Sequence, residues 1–280
     1  MREDVEEIKF PAAMTGLLCC RYLAVFFGWL LLPEHHCSDG TTQGALWALG
    51  VDKEGQRELL GVWSSTNPGA PPWQMAFADL TLRGVECIRF MVGNDMPSDG
   101  GRLRGVALGA TALPSIEQTL AVTVAQVAPR HRGSVGRALR AVAAAGSSEA
   151  AGAALRAFDS GQRAERYPQI VAQWRLALAQ WAPLFALPAA LRRVVVSGDR
   201  MAANLHGSLV RSVGRHGCFA DQAAALDFVA GALLRAERRL DRERAVAVTA
   251  QRIRRVDGAG GQPALGIHSG SPAVGARAPR

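Results

Sequence analysis

The sequence predicts a mixed α/β fold, in which a sheet built from the first third of the chain is followed by a long helical region. Short apolar runs bounded by turn residues crowd into residues 22–92, and helical spacing dominates from Ile116 onward. Of the 280 residues, 49% are hydrophobic, which is enough to bury a sizeable core. Strands followed by helices are typical of a mixed α/β core that carries a helical insertion.

The first predicted strand, Tyr22 to Leu32, lies at the end of an apolar run that Arg21 interrupts. Its 11 residues are too few to cross a bilayer as a helix. The acidic segment Arg2–Glu7 has the wrong sign for a secretory leader. We therefore interpret the run as a buried strand, with a signal anchor as the alternative.

A hairpin, a helix and a further strand follow. Residues 44–63 predict two strands joined by a turn at Asp52–Gly55, because apolar stretches flank a polar segment that contains glycine. Residues 72–83 have helical spacing, and residues 87–92 predict a short strand. A loop rich in Gly, Asp, Pro and Ser comes after it, from Gly93 to Gly101.

The remaining chain predicts helices separated by prolines at positions 168, 183 and 188. The segment Leu191–Val196 fits either a strand or the start of a helix. Residues 221–255 predict one long helix or two. The last 25 residues are rich in Gly and Pro without periodicity, which predicts a disordered tail.

The charge is distributed unevenly along the chain, whose formal net charge is +8. Residues 1–100 hold 7 basic and 13 acidic side chains, whereas residues 101–280 hold 25 basic and 11 acidic side chains. A basic region is typical of a protein that binds a polyanion, and nucleic acid is the simplest such partner because phosphate contacts dominate its affinity for proteins. Arginines on solvated helix faces are the alternative explanation.

The five cysteines are scattered and odd in number. They form neither a disulfide framework nor paired C-x-x-C zinc ligands, so we expect a protein of the reducing cytoplasm. Because the apolar run at residues 22–32 is interpreted as a strand, we expect no membrane partner.

Four long phrases stand in order between about residues 44 and 240. They are GVDKEGQRELLGVW (Gly50–Trp63), PWQMAFADLTLRGVE (Pro72–Glu86), RYPQIVAQWRLALAQWAPLFALPAALRRVVV (Arg166–Val196) and RHGCFADQAAALDFVAGALLR (Arg215–Arg235). Together they resemble the bacterial mutator-type insertion-sequence transposases. The resemblance implies an α/β, ribonuclease-H-like core, a mixed sheet with helices, that carries an α-helical insertion. It also implies a role in DNA transposition and recombination.

On this resemblance we divide the chain into five parts. They are a poorly matching N-terminal segment with the first core strand (1–43), the first part of the α/β core (44–115), the helical insertion (116–190), C-terminal core helices (191–255) and a disordered tail (256–280). The family carries an N-terminal region that recognises the ends of the element. Here fewer than 25 residues precede the first strand and they are acidic. We therefore expect a truncated member, and a frameshift within residues 1–43 is a further hypothesis.

The family's chemistry implies an Asp-Asp-Glu triad that holds two divalent metal ions, Mg²⁺ in the family, for phosphodiester cleavage and strand transfer. Carried over residue by residue, the three triad positions hold Ala24, Asn94 and Ala202. Alanine offers no donor atom, and asparagine offers only a neutral carbonyl oxygen to a hard divalent cation. We therefore expect a degenerate site with no catalytic residues, no bound metal and no cofactor.

Two nearby acids are weak substitutes for the triad. Asp95 follows Asn94 directly, but a slip of one residue turns a strand side chain to the opposite face. Asp199 lies about one helical turn before Ala202.

Other family positions give a mixed result. The Cys-x-x-His pair of the family is replaced by Leu120 and Thr123. Aromatic scaffold positions of the family, such as Trp174 and Trp181, are present.

Three functional hypotheses follow. The first is a transposase-derived chain that has lost catalysis, including a decayed remnant of a mobile element. The second is a non-enzymatic protein that binds the DNA backbone without sequence preference, or forms oligomers with itself or active relatives, and so interferes with them. Its phosphate contacts would come from Arg192, Arg193, Arg200, Arg211 and Arg215. The third is a small membrane-associated protein anchored by Tyr22–Leu32.

Overall fold

The computed structural model describes residues 16–32, 43–65, 72–93, 96 and 109–239. Its strands are β1 (Arg21–Leu32), β2 (Gln43–Val51), β3 (Arg57–Ser65), β4 (Cys87–Val92) and β5 (Thr111–Leu113). Its helices are α1 (Trp73–Leu82), α2 (Ile116–Ala125), α3 (Pro129–Ala143), α4 (Ser148–Asp159), α5 (Gln162–Arg166), α6 (Pro168–Gln180), α7 (Ala182–Phe185), α8 (Ala189–His216) and α9 (residues 222–239).

The strands form one mixed sheet in the order β3-β2-β1-β4-β5. The pairs β1–β2 and β2–β3 are antiparallel, whereas β1–β4 and β4–β5 are parallel. β1 therefore lies inside the sheet, and because helices α1 and α8 cover its two faces, its sequence is apolar almost throughout. Residues 1–236 form one unit that contains every described strand, and of the second unit, residues 237–280, only 237–239 are described.

The β2–β3 turn shows why these two strands form a hairpin. The Asp52 carboxylate accepts a hydrogen bond from the Gln56 backbone N–H at 2.8 Å, and the Asp52 carbonyl accepts one from the Gly55 N–H at 3.2 Å. Gly55 has a φ of +82°, a conformation that glycine adopts without steric cost. The turn predicted at Asp52–Gly55 is confirmed.

One face of the sheet is covered by α1. Side chains from the sheet and from α1 form an apolar cluster that includes Val25, Phe27, Trp63 and Phe77. The buried indole N–H of this layer has a partner, since the Trp63 Nε1–H donates to Asp79 Oδ2 at 3.2 Å.

The other face of the sheet is covered by α8, which packs against β1 and β2. Gly198 permits this close approach, since a Cβ placed there would lie 2.5 Å from Cε2 of Phe26. The cost of a glycine inside a helix is therefore offset by packing of the helix backbone onto the sheet.

Helices α2 to α7 form the helical region that connects β5 to α8. Two buried tryptophans stand in it edge to face, with ring centroids 5.6 Å apart. The Trp174 Nε1–H donates to Thr123 Oγ1 at 3.0 Å, and the Trp181 Nε1–H donates to the Pro114 carbonyl at 2.8 Å. These bonds tie α6 and the residue before α7 to α2 and to the segment after β5.

The mixed α/β class predicted from the sequence is confirmed. The run Tyr22–Leu32 is the central strand, and Leu191–Val196 lies within α8, so the helical alternative was right there. Sequence reasoning missed β5, whose 3 residues are too short to give a periodic signal. In the ranges that the structure describes, no helix is long and apolar enough to cross a membrane.

Several predictions fall outside the described residues. They concern Asn94, Asp95, most of the loop from 93 to 101, residues 240–255 of the last predicted helix, and the tail 256–280.

Candidate functional site

A cavity of about 240 Å³ lies between the α8-covered face of the sheet, the end of β4 and the helices α2 and α8. Its sheet side is lined by residues of β1 and β2, among which Phe26 and Trp47 have their side chains on this face, whereas the side chains of Phe27 and Trp29 belong to the cluster on the α1 face. Its polar lining is Ser115, Glu117, Gln118, Asp199 and His206.

Asp199 joins α8 to the first turn of α2. Its side chain is only 3% exposed, and its Oδ2 accepts a hydrogen bond from the Glu117 backbone N–H at 3.0 Å. The first amides of a helix have no partner within the helix, and a carboxylate there also interacts favourably with the helix dipole. Burial raises the pKa of Asp199, while the hydrogen bonds from the Glu117 N–H and the Ser115 side chain lower it. The geometry is that of a structural cap on α2.

The positions that the resemblance assigns to the family triad are only partly brought together. Ala202 lines the same cavity as Asp199, one helical turn further along α8. Ala24 is fully buried in the middle of β1, paired with Val51 on one side and Phe90 on the other, and it does not belong to the cavity's described lining. Asn94 and Asp95 lie outside the described residues.

The described residues that line the cavity do not suit a divalent cation. Ala202 carries no ligand atom, Asp199 is hydrogen-bonded to α2, and Glu117 Oε1 forms an ion pair with Arg200 Nε at 3.2 Å. Hard divalent cations require several oxygen ligands that converge. Across the described ranges, no group of three His, Cys, Asp or Glu side chains is placed to hold a metal ion.

Two polar groups beside the cavity lack hydrogen-bond partners within the described part of the chain. Trp47 is 1% exposed, and its Nε1–H finds no hydrogen-bond partner among the described residues; the same holds for Nδ1 of His206. The two rings are stacked, with centroids 6.2 Å apart and planes inclined by 25°. Gly28 makes room for the indole, since a Cβ there would lie 2.4 Å from its ring atoms. Burial lowers the pKa of His206, which favours a neutral imidazole at pH 7.

The five arginines predicted to contact phosphate all lie on α8, but they do not share one role. Arg192 donates to the backbone carbonyls of Phe185 and Leu187, so it caps the carbonyl end of α7. Arg200 pairs with Glu117. Arg193, Arg211 and Arg215 are exposed and take part in no ion pair with the part of the chain that the structure describes.

The helix repeat places four of these arginines together. With 3.6 residues per turn, positions 193, 200, 211 and 215 fall within about 60° of one another around α8. Exposed Ser197 and Asn204 lie in the same stripe. The buried residues of α8, such as Val195, Leu209 and Val213, face the opposite way. We name the set Arg193, Arg200, Arg211 and Arg215 the arginine stripe.

Sequence reasoning missed the cavity and its two unpartnered groups. Asp199, Ala202 and His206 follow one another at intervals of three and four residues, which places them on one helix face, so their spacing was a usable signal. Trp47 gave no such signal, because its residue type and its position in an alternating strand are those of an ordinary core residue.

The family comparison agrees with the phrases found in the sequence. A family model described as transposase, Mutator family, matches residues 17–239. This match covers most of the chain and includes β1, so it extends further toward the N-terminus than the four phrases do. The chain belongs to the Mutator family of transposases.

Individual relatives support the same assignment. The chain is 35% identical over 186 residues to a protein of Corynebacterium diphtheriae named as a probable transposase for an insertion sequence element. It is 33% identical over 186 residues to the transposase for insertion sequence element ISRM3 of Rhizobium meliloti. Each alignment covers 64% of this chain but only 52% and 44% of the respective relative. The chain thus spans about half the length of the curated relatives it matches.

Proposed function

We propose that this chain is an insertion-sequence transposase homologue that binds the DNA backbone through α8 and does not cleave DNA with the family's metal-dependent chemistry. The arginine stripe carries this proposal, because it concentrates four guanidinium groups on one exposed helix face. Arginines so arranged contact phosphates and position a protein on DNA without reading its sequence.

The loss of catalysis is argued from the ligand atoms. Two of the three assigned triad positions are alanines, and the two acids in the described lining of the cavity, Glu117 and Asp199, have other partners. Two-metal cleavage requires anionic ligands that hold both ions against the attacking and leaving oxygens. Ala24 and Ala202 supply none, so we assign the chain no catalytic carboxylate.

A ribonuclease-H-like core with a helical insertion is part of the proposal. It is supported by the sheet order β3-β2-β1-β4-β5, in which β3, β2 and β1 are joined by antiparallel pairs and β4 and β5 are added by parallel pairs. It is also supported by the position of residues 116–188, which lie between the last strand and the helix that covers the sheet.

DNA binding is tested by replacing Arg193, Arg211 and Arg215 together with glutamine and measuring affinity for a duplex at several salt concentrations. For each phosphate that the variant no longer neutralises, the slope of log K against log salt should become shallower by about 0.9. The matched control replaces Arg137, Arg156 and Arg163, which are exposed arginines of the helical region, and so changes the net charge equally. An equal reduction of affinity in both variants would contradict a role for the stripe.

The proposed absence of catalysis is tested by assaying nicking and strand transfer on supercoiled plasmid with Mg²⁺ or Mn²⁺. We expect no activity from the folded full chain. Activity that Asp95→Ala and Asp199→Ala both abolish would show that these two acids had replaced the triad, and the proposal of an inactive site would be wrong.

A second function is favoured by the same stripe. A chain that binds DNA and lacks catalysis would occupy the sites or the assemblies of active transposases and so interfere with them. Adding it to an active relative should reduce transposition in proportion to the ratio of the two proteins, and the stripe variant should reduce it less.

A further inference from the structure

The β2–β3 hairpin packs against the first half of α8. A Cβ placed on Gly55, in the hairpin turn, would lie 3.7 Å from Cγ2 of Val194. A Cβ placed on Gly198 would lie 3.2 Å from Cγ2 of Val51, at the end of β2. Val51 is the register partner of Arg57, the first residue of β3. The close contact of α8 with the end of β2 therefore brings Arg57 beside this section of the helix.

A hydrogen bond joins the two elements at this point. Nη2 of Arg57 donates to Oγ of Ser197 at 2.7 Å. Arg57 is half-buried and Ser197 is exposed. A hydroxyl that accepts a hydrogen bond keeps its own O–H as a donor, so Ser197 can accept from Arg57 and donate to an oxygen atom outside the protein. The contact also fixes the direction of a long side chain, which lowers the entropy that Arg57 loses when it binds a ligand.

Ser197 lies inside the arginine stripe. Arg193 precedes it by four residues and Arg200 follows it by three, so these side chains share one face of α8. With Arg57 on the sheet side, three arginines flank one hydroxyl. Glu117 neutralises part of this charge through its ion pair with Arg200, at 3.2 Å. The remaining positive charge and the N–H and O–H donors favour an anion with several oxygen atoms, which is the chemistry of a phosphate group.

The acids of the hairpin are engaged elsewhere. The Asp52 carboxylate accepts a hydrogen bond from the backbone inside the turn, and Glu54 pairs with Lys53 at 3.6 Å. Glu58 accepts a hydrogen bond from the hydroxyl of Tyr22, a residue of the apolar cluster on the α1 face. Each of these acids therefore has its own partner in the turn or on the opposite face of the sheet.

We propose that Arg57 and Ser197 form a phosphate-binding pair that extends the arginine stripe from α8 onto the sheet. One phosphate of a DNA backbone that follows the stripe would accept a hydrogen bond from the Ser197 O–H and a charge-assisted hydrogen bond from the Arg57 guanidinium. Because phosphate contacts set the register of a protein on DNA, the pair fixes where along α8 the backbone lies. This inference rests on the DNA binding proposed above.

The test is a double-mutant cycle on the affinity of the full chain for a short duplex, measured by anisotropy at several salt concentrations. Ser197→Ala removes an uncharged group, so the affinity should fall a few-fold while the slope of log K against log salt stays the same. Arg57→Gln should lower the affinity about ten-fold and make the slope shallower by about 0.9. Because the two groups act on one phosphate, the double variant should lose clearly less than the product of the two single losses.

Two control variants make the same chemical changes elsewhere. Arg89→Gln removes an exposed arginine of β4, and Ser160→Ala removes an exposed hydroxyl directly after α4. Both should bind DNA nearly as well as the wild type. Arg57→Lys keeps the charge but not the planar guanidinium that can contact Ser197 and a phosphate together, so it should keep the salt slope and lose affinity. It keeps the test valid if Arg57→Gln does not fold.

The outcomes separate the two proposals. If the wild type does not bind the duplex, the proposed DNA-binding function fails. If the wild type binds, but Arg57→Gln loses no more affinity than Arg89→Gln, DNA binding stands and the phosphate-binding pair is wrong. The pair is also wrong if the losses caused by Arg57→Gln and Ser197→Ala simply multiply in the double variant.

Discussion

The two faces of the sheet differ in whether a buried tryptophan has a hydrogen-bond partner among the described residues. Trp63 and Trp47 lie on neighbouring strands and are each 1% exposed. On the face covered by α1, Trp63 donates to Asp79, which also accepts from Arg83 Nη1 at 3.3 Å. On the face covered by α8, Trp47 has no described partner and stands beside a cavity. On the first face the buried donor is paired, whereas on the second it has no partner among the described residues.

The largest expected effect on stability comes from removing the Asp79 carboxylate on the face covered by α1. Asp79→Ala leaves both the Trp63 Nε1–H and the Arg83 guanidinium without their carboxylate. The buried Trp63 donor then has no acceptor, and Arg83 keeps only the carbonyls of Gly16 and Leu60, so we expect the free energy of unfolding to fall by about 3 kcal/mol, measured by urea denaturation. Asp79→Asn keeps an acceptor and should cost clearly less. Equal effects of both variants would contradict the assignment.

A smaller destabilisation is expected where α8 meets the sheet. Gly198→Ala raises helix propensity, yet the added Cβ meets the Phe26 ring. Crowding of this kind costs about 1–3 kcal/mol, more than the propensity gain, so the variant should be less stable than the wild type. Gly214→Ala, on the same helix with open space around its Cβ, is the control and should be stabilising. A stable Gly198→Ala protein would mean that α8 can move away from the sheet.

Matched variants of the two tryptophans measure how much each indole N–H contributes to stability. Trp63→Phe and Trp47→Phe remove the same ring volume, but only the first breaks a hydrogen bond to a carboxylate. We expect Trp63→Phe to lose about 1–2 kcal/mol more stability than Trp47→Phe in the same denaturation experiment. Equal destabilisation would show that the Trp47 donor is satisfied in solution and that the two faces do not differ in this respect.

The smallest effect is a change in pH dependence at the cap of α2. Burial raises the pKa of Asp199, so the folded chain holds this proton more tightly than the unfolded chain. Stability should therefore fall as the pH rises from about 4 through the raised pKa, and Asp199→Asn, which keeps an acceptor but does not titrate, should lack this fall. Across this range the unfolding free energy of the wild type should therefore fall relative to that of Asp199→Asn. Parallel curves for the two proteins would be inconsistent with a perturbed Asp199.

Much of the fold could be predicted because each element carries its own local signal. The alternation and apolar runs of β1 to β4, the Asp52–Gly55 turn and the helical spacing after Ile116 all depend on neighbours in the sequence. The three-residue strand β5 has no such signal, since it becomes a strand only by pairing with β4.

The candidate site, like the fold, could be predicted from the sequence only in part. The family phrases were enough to predict that the triad positions hold Ala24 and Ala202, because the chemistry of a position follows from the atoms that its side chain carries. Tertiary structure alone decided that Asp199 caps α2, that Arg192 caps α7 while Arg193, Arg211 and Arg215 face outward, and that Trp47 is left without a partner among the described residues. These assignments depend on contacts between segments far apart in the chain, where distance and burial rather than residue type determine which groups meet.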